Sequence, residues 1–551
     1  MFVEPARLIK PVMIYLSQLM PTLTPVHRLA KMAFDETKLK EIAEYDKKLD
    51  YALLANKQIQ VISINSLIGD KFFFPIYMDM DVSVDKELYE GSIKALFNID
   101  CKVIITSCDQ HGKNTNLGAK LGVTPENVEI KIIMDDGTIW IVLFSHDFVH
   151  IFKLFRNFFL DHDYVKFSNG VIFSKKDILD LMAKADSSIL KLKDIHLKCK
   201  SSDRQNVKLA CELISDTTAT LLMDFFPGDE RKAQMAVVFS IFNKCFDLFT
   251  SNGSNTKDFW RAPYEMYLGK QNKLLNEVKW YLSNIVNIGQ CRFHKGGIQT
   301  INCLMKLHEI LSNDYGVDSF PTAPTNSDGL ECFFGRIKGM WNGKGNDING
   351  LGFLRRSSEW ITIEIMKDSE FNIFSMKPEL QAIIDKDFDD IDFEYQVPEI
   401  LSTSTAKKIE LEWLAGRLAH IFLAKYELSD NAIVENSAKF SSKSLFLTKS
   451  MRNSIILKPS EVWMKDIIKM EGMFCAYNGE NSLRKGRGLI SRFQKMLKLE
   501  FPTYNMEILT TYALLRLAIQ IKAINKAVEA KKKSKMTLLG AKKTLRMAGY
   551  L

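Results

Sequence analysis

The chain has 551 residues, 46% of them hydrophobic and 25% charged, with a formal net charge of +8. This composition suits a chain that buries real cores, at roughly 100–200 residues per domain the length predicts about three or four folding units, and the basic excess mildly favours polyanionic partners. Nine cysteines without a C-x-x-C pair or a Cys/His cluster argue against a zinc module and a disulfide framework, and predict reduced thiols in an intracellular protein. No apolar run approaches the roughly 18 residues of a membrane span, and Glu4, Pro5, Pro11, Pro21 and Pro25 interrupt the apolar N-terminal patches, so neither a membrane anchor nor a signal peptide is expected.

The first part reads as α/β. Runs rich in Ile, Val and Phe predict strands over Val61–Ile68, Phe72–Met78, Lys102–Thr106, Val128–Ile133 and Thr138–Phe144. Asp136-Gly137 is a hairpin signal between the last two, which makes Asp135 and Asp136 turn residues rather than catalysts. From about Phe148 to Leu311 the apolar spacing becomes helical, as in Lys175–Leu192, Gln205–Asp224 and Arg231–Phe249. Asp368–Glu399 then carries ten acidic residues, with Pro378 and Pro398 near its ends, and reads as a solvated linker. From Ala406 onward helical spacing returns, and the last thirty residues hold nine bases, Lys522 to Arg546, against Glu529 alone.

Three acids in this pattern suit metal-assisted phosphoryl transfer. That chemistry uses two divalent ions about 3.5–4 Å apart, and hard cations take carboxylate oxygens. In "KVIITSCDQHGKN" an apolar strand runs into Asp109 and then a turn, the edge where α/β ligand sites form; an ordinary helix-capping Asp fits the same position. In "PTAPTNSDGLECFFGRIKG" Asp328 and Glu331 fall at i and i+3 on one helix face, a spacing that equally makes a capping box. Asp35 in "MAFDETKL" follows a short apolar lead, with Glu36, Asp79 and Asp81 as competitors for the same role.

Order and surroundings add what spacing leaves open. "AFDETKLKEIAEYD" resembles the first catalytic-Asp segment of the P-element transposase family and its THAP-domain relatives, and "VIITSCDQHGKNTNLGAKLGV" resembles the second. "HDFVHIFKLFRN" is similar to the segment entering that family's inserted domain, "FHKGG" and "TNSDGLECFFG" to those before and around its catalytic Glu, and "WLAGRLAH" and "ILKPS" to C-terminal landmarks. The resemblance runs from about Lys31 to beyond Ser460.

It implies an α/β RNase H-like catalytic domain interrupted by a mostly helical GTP-binding insertion and followed by a helical C-terminal domain. The expected boundaries are an N-terminal remnant at 1–30, the RNase H-like domain at 31–147 and 319–367, the insertion at 148–318, the acidic linker at 368–405 and the C-terminal domain at 406–551. Asp35, Asp109 and Glu331 would be the catalytic triad, holding two Mg2+ ions. Asp147, Lys153, Asp247 and Asp328 resemble the GTP-contacting residues, GTP acting as a structural or allosteric ligand rather than as fuel. No G-x-x-x-x-G-K-[ST] loop is present, so spacing alone does not show a nucleotide site.

Double-stranded DNA is the expected partner. Two basic clusters suit its phosphates: Arg484, Lys485 and Arg487 with Arg492, Lys495 and Lys498, and Lys531, Lys532 and Lys533 with Lys535. The lysine run also suits import into the nucleus, and a homo-oligomer assembled on DNA is expected. Departures from the family pattern are Thr37 for Met, Cys108 for Ser and Ser327 for Gln, none of which removes a carboxylate. No Cys/His cluster precedes Asp35, so the family's THAP finger and leucine zipper are expected to be missing from this chain. The competing expectation is a domesticated, DNA-binding or regulatory descendant without transposition activity.

Overall fold

The computed structural model describes residues 7–185, 189–254, 258–267, 269–289, 291–340, 348–367, 411–412, 414–419, 421–422, 434–439, 457–479, 482–484 and 486–547. They divide into two compact units. The first comprises 1–38, 58–348 and 353–371, the second 39–57, 349–352 and 372–551. The acidic segment 368–405 lies outside the described residues.

The chain opens with β1 (Arg7–Leu8), α1 (Lys10–Leu19), β2 (Leu29–Lys38), β3 (Glu44–Asp46), β4 (Tyr51–Leu53), β5 (Gln58–Ser66), β6 (Phe73–Met80), α2 (Lys86–Asn98), β7 (Lys102–Cys108), α3 (Gly112–Lys120), β8 (Glu129–Ile133) and β9 (Ile139–His146). Seven of these strands build one mixed sheet in the order β1-β6-β5-β2-β7-β9-β8. β2 pairs antiparallel with β5 and parallel with β7, and β7 pairs parallel with β9. Leu29 to Phe34 of β2 are buried on both faces, as a central strand demands. Residues 7–30, expected as a remnant, instead add an edge strand to this sheet and a helix whose Val12 and Leu16 are buried.

After β9 come α4 (Phe148–Asp161), the β10 (Val165–Lys166) and β11 (Ile172–Phe173) hairpin, α5 (Lys175–Lys184), α6 (Asp194–Leu197), α7 (Val207–Leu213), α8 (Asp216–Phe225), α9 (Glu230–Phe249), α10 (Lys270–Ser283) and α11 (Phe293–Tyr315). A phenylalanine seam joins α4 to α9: Phe148 stacks on Phe249 at 4.1 Å between centroids and Phe155 on Phe242 at 4.2 Å. Such ring pairs are worth about 0.5–1.5 kcal/mol beyond area burial. The single helix expected over Gln205–Asp224 is two, because the Ser215 hydroxyl accepts from the Thr218 N–H and starts α8 afresh. α12 (Asp328–Gly339) and α13 (Gly350–Met366) complete this stretch.

The second unit holds β12 (Val434–Lys439), β13 (Leu457–Pro459), α14 (Glu461–Asn478), β14 (Gly486–Arg487), α15 (Leu489–Glu500) and α16 (Met506–Met547). Residues 39–57 belong here rather than to the expected domain at 31–147, since β3 and β4 form a three-stranded sheet with β14. Asp50 fixes that sheet to α15. Its carboxylate accepts from the Ile490 and Ser491 N–H groups, both at 2.8 Å, and from the Ser491 hydroxyl at 2.6 Å. These bonds outweigh burial and hold the Asp50 carboxyl below its ordinary value. Asp50→Ala is expected to destabilise the second unit by about 1–2 kcal/mol, the worth of a good N-terminal cap, as read by amide hydrogen exchange in α15. Among the described residues no helix is long and apolar enough to cross a membrane.

Candidate active site

Three parallel strands set the site. β2 and β7 align Ala33 with Ser107, and β7 and β9 align Ser107 with Ser145. Two residues beyond that row lie Asp35, Asp109 and Asp147, so the register delivers three carboxylates to one edge of the sheet. The carboxyl ends of parallel strands are where open α/β sheets bind ligands. α12 packs against β2 and brings Glu331, while the first turn of α4 brings His150.

The hydrogen bonds fix the acids differently. Asp109 accepts from the His111 N–H at 2.9 Å and from the Asn114 amide at 2.7 Å. It therefore turns the chain into α3, whose N-cap is His111, without being the cap itself. Asp147 is buried, caps α4 through the Val149 N–H at 2.8 Å, and accepts from the Ser327 hydroxyl. Glu331 accepts from His150 Nε2 at 3.1 Å. The alternative capping box on α12 does not form: Ser327 is the N-cap, no side chain caps the helix there, and Asp328 is the first helical residue.

Charge is crowded at this edge. Burial pushes the Asp35 carboxyl up to about 6; the Glu36 N–H opposes the rise, and the charges of Asp109 and Glu331 add to it. Burial likewise pushes Asp328 up to about 6, with Asp147 and Glu331 contributing. Glu331 is lowered, first by its hydrogen bond from His150, and His150 is raised because Glu331 and Asp147 outweigh its burial. Lys31, buried in β2, donates to the Asn326 carbonyl; burial lowers it to about 8 against the pull of Asp147 and Asp328. The ligand-type atoms of Asp147, His150 and Glu331 all lie within 4.8 Å of one another. This donor set suits a divalent cation.

The expected site residues thus fall into groups. The Asp35 carboxyl feels the charges of Asp109 and Glu331 at this edge, and that of Asp328 feels Asp147 and Glu331. Lys153, buried in α4, reaches the same edge electrostatically through Glu331 and His150. Asp247 does not join them: on α9 it accepts from Arg261 at 3.1 Å and from Asn243 at 3.2 Å. His150 and Lys31 were not singled out by sequence, and Ser327 stood out only as a departure from the family pattern. The signal available for His150 was its i,i+3 spacing from Asp147 at the start of a helix.

Of the basic residues, Lys485 lies outside the described residues. Arg484 places its guanidinium 5.1 Å from the Tyr477 ring centroid, and Arg487 lies in β14 opposite Tyr51. Arg492 donates to the Tyr477 hydroxyl, and Lys498 donates to the Pro502 and Tyr504 carbonyls, so both have structural work. Lys531, Lys532, Lys533 and Lys535 are exposed on α16, with Lys532 3.4 Å from Glu41.

A mixed α/β protein that gathers carboxylates and a histidine at parallel strand ends, joined to a large helical segment, is the class defined here. No family model matches the chain. The Transposable element P transposase of Drosophila melanogaster is 25% identical over 547 residues, covering 94% of this chain and 70% of that protein. The solved Drosophila P element transposase strand transfer complex matches with a TM-score of 0.60 and 25% identity, over 65% of this chain and 82% of that one. In both sequence and fold the chain is thus similar to the P-element transposases.

Proposed function

We propose that the chain cuts and joins DNA strands by the cut-and-paste route, on an RNase H-like sheet whose Asp35, Asp109 and Glu331 hold two Mg2+ ions. The observation that carries this is the register of β2, β7 and β9, which sets Asp35 and Asp109 at equal steps past one aligned row, with Glu331 delivered by α12. The residues fit a cation: burial, with the charges of Asp109 and Glu331 adding to it, raises the Asp35 carboxyl, which added positive charge relieves. When bound, the ions activate a water or a DNA 3′ hydroxyl and stabilise the leaving oxygen. The protein's own contribution is positional. Asn114 and the His111 N–H hold the Asp109 carboxylate, the Glu36 N–H holds that of Asp35, and His150 holds Glu331. Plasmid nicking by the full chain with and without Mg2+ or Mn2+ tests the reading; nicking that persists in a chelator overturns it.

The raised carboxyls give a signed expectation for stability. Relative to the ordinary value of 3.8, Asp35 and Asp328 favour folding while protonated, and that contribution is lost as pH rises through about 6. A bound cation reverses the loss. Mg2+ is therefore expected to raise the melting temperature by about 2–4 °C at pH 7.5 and by much less at pH 5. Equal shifts at both pH values, measured calorimetrically, would remove Asp35 as a ligand.

The helical segment 148–318 is proposed as a GTP-binding insertion, with Asp147, Lys153, Asp247 and Asp328 as contacts and GTP as an allosteric ligand. Support is limited to Lys153, Asp147 and Asp328, since Asp247 is held apart with Arg261. Calorimetric titration is expected to show GTP binding that Lys153→Ala weakens at least about tenfold, the worth of one charged hydrogen bond to phosphate. DNA contact is assigned to the exposed lysines of α16 and to the cluster at Arg484, Lys485 and Arg487, in a nuclear homo-oligomer.

A further inference from the structure

α12 has two working faces. Asp328 and Glu331 turn toward the acidic edge, whereas Gly329, Cys332, Phe333 and Arg336 line a cavity of about 1000 Å³. The spacing of the second set, i, i+3, i+4 and i+7, is one stripe of a helix. Phe73 and Trp360 line it as well, their rings edge-on to each other at 6.0 Å and packed beside Phe333 at 6.2 and 5.1 Å, and Lys71 rims it. Lys31 lines it too, and the same ammonium feels the charges of Asp147 and Asp328. Cavity and acidic edge therefore share a helix and a lysine within one unit. Asn65 also lines the cavity; its amide nitrogen donates to the Ser66 carbonyl, while its Oδ1 is buried without a hydrogen-bond partner.

Aromatic walls with cationic rims are the chemistry of single-stranded nucleic acid binding, the rings receiving a base and the cations its phosphates. We propose that this cavity holds an unpaired nucleotide of the DNA strand being processed, next to the nucleotide whose phosphate reaches the acidic edge. This rests on the DNA-processing reading above. A free nucleotide offers the same base and phosphate, but the sharing of α12 and Lys31 with the acidic edge favours a nucleotide still joined to the strand. Gly329 is part of the fit, since a Cβ there would meet the Phe73 ring at 3.0 Å.

The test is fluorescence anisotropy of the full chain with two labelled duplexes of one sequence, one blunt and one with a short unpaired extension, in Ca2+ to support binding without cleavage. The extended duplex is expected to bind about tenfold tighter. The double substitution Lys71→Glu, Arg336→Glu, at two exposed positions, is expected to erase that preference while leaving blunt-duplex affinity within about twofold. Maleimide labelling of exposed Cys332 supplies an independent readout: the extended duplex should slow it at least about fivefold, and the blunt duplex should not. Unchanged preference in the double variant, or equal protection of Cys332 by both duplexes, overturns the cavity proposal alone. Protection by millimolar GTP but not by the extended duplex also overturns it, assigning the cavity to a free nucleotide. Failure to bind either duplex overturns it together with the reading it rests on.

Discussion

Replacing Asp109 or Glu331 by alanine is expected to lower strand cleavage about a thousandfold while leaving the fold intact. A metal site stabilises developing charge by several kcal/mol, and each 1.4 kcal/mol is a factor of ten in rate. The two variants should differ in detail. Asp109 also accepts two hydrogen bonds that turn the chain into α3, so its loss should cost some stability. Glu331 is half exposed and, among the described residues, bonds only His150, so its loss should cost almost none. Asp109→Asn keeps an acceptor for both bonds and should restore stability without restoring cleavage. Cleavage within tenfold of the parent for either alanine variant removes that residue from the proposed metal site.

The second large effect lies in the second unit. Glu471 of α14 is buried and accepts from Arg516 Nε and Nη2, each at 2.7 Å, and more distantly from the Tyr512 hydroxyl at 3.4 Å. The Arg516 guanidinium also lies 4.5 Å from the Phe474 ring centroid. Removing one partner of a buried pair leaves the other charge without compensation, at a cost of about 3–5 kcal/mol. Glu471→Ala should therefore be among the most damaging single changes in the second unit. The paired change Glu471→Leu, Arg516→Met should be milder than either alone, because the buried charge is gone. Denaturant unfolding of the four proteins completes the cycle; additive losses would mean that the two side chains do not act as a pair.

Reading order from sequence alone worked where one signal dominated. The apolar runs entering β5, β6, β7, β8 and β9 lie within two or three residues of the strands that form. β2 was hidden because Lys31 and the pair Asp35-Glu36 break its apolar run, although Lys31 is buried as deeply as its neighbours. Helical periodicity over Gln205–Asp224 could not reveal the break at Ser215, since the residues on both sides keep the same spacing. For the candidate site, Asp109 was visible as an acid after a strand. The convergence of Asp35, Asp109 and Asp147 was not, because it depends on parallel registers between segments separated by dozens of residues. His150 drew no notice because its role exists only once α12 has brought Glu331 to it.

The detour of residues 39–57 has a practical outcome. The chain leaves the first unit just after the strand that carries Asp35 and re-enters it at β5, so neither unit is a continuous stretch of polypeptide. A stop codon near residue 371 would not release a self-sufficient first unit: it would strip β4 of its β14 neighbour and leave the Asp50 carboxylate without the Ile490 and Ser491 amides. Dissection by simple shortening is thus closed off: the first unit alone requires residues 39–57 to be excised and the backbone resealed between Lys38 and Gln58, and the second requires those residues to be joined to 372–551.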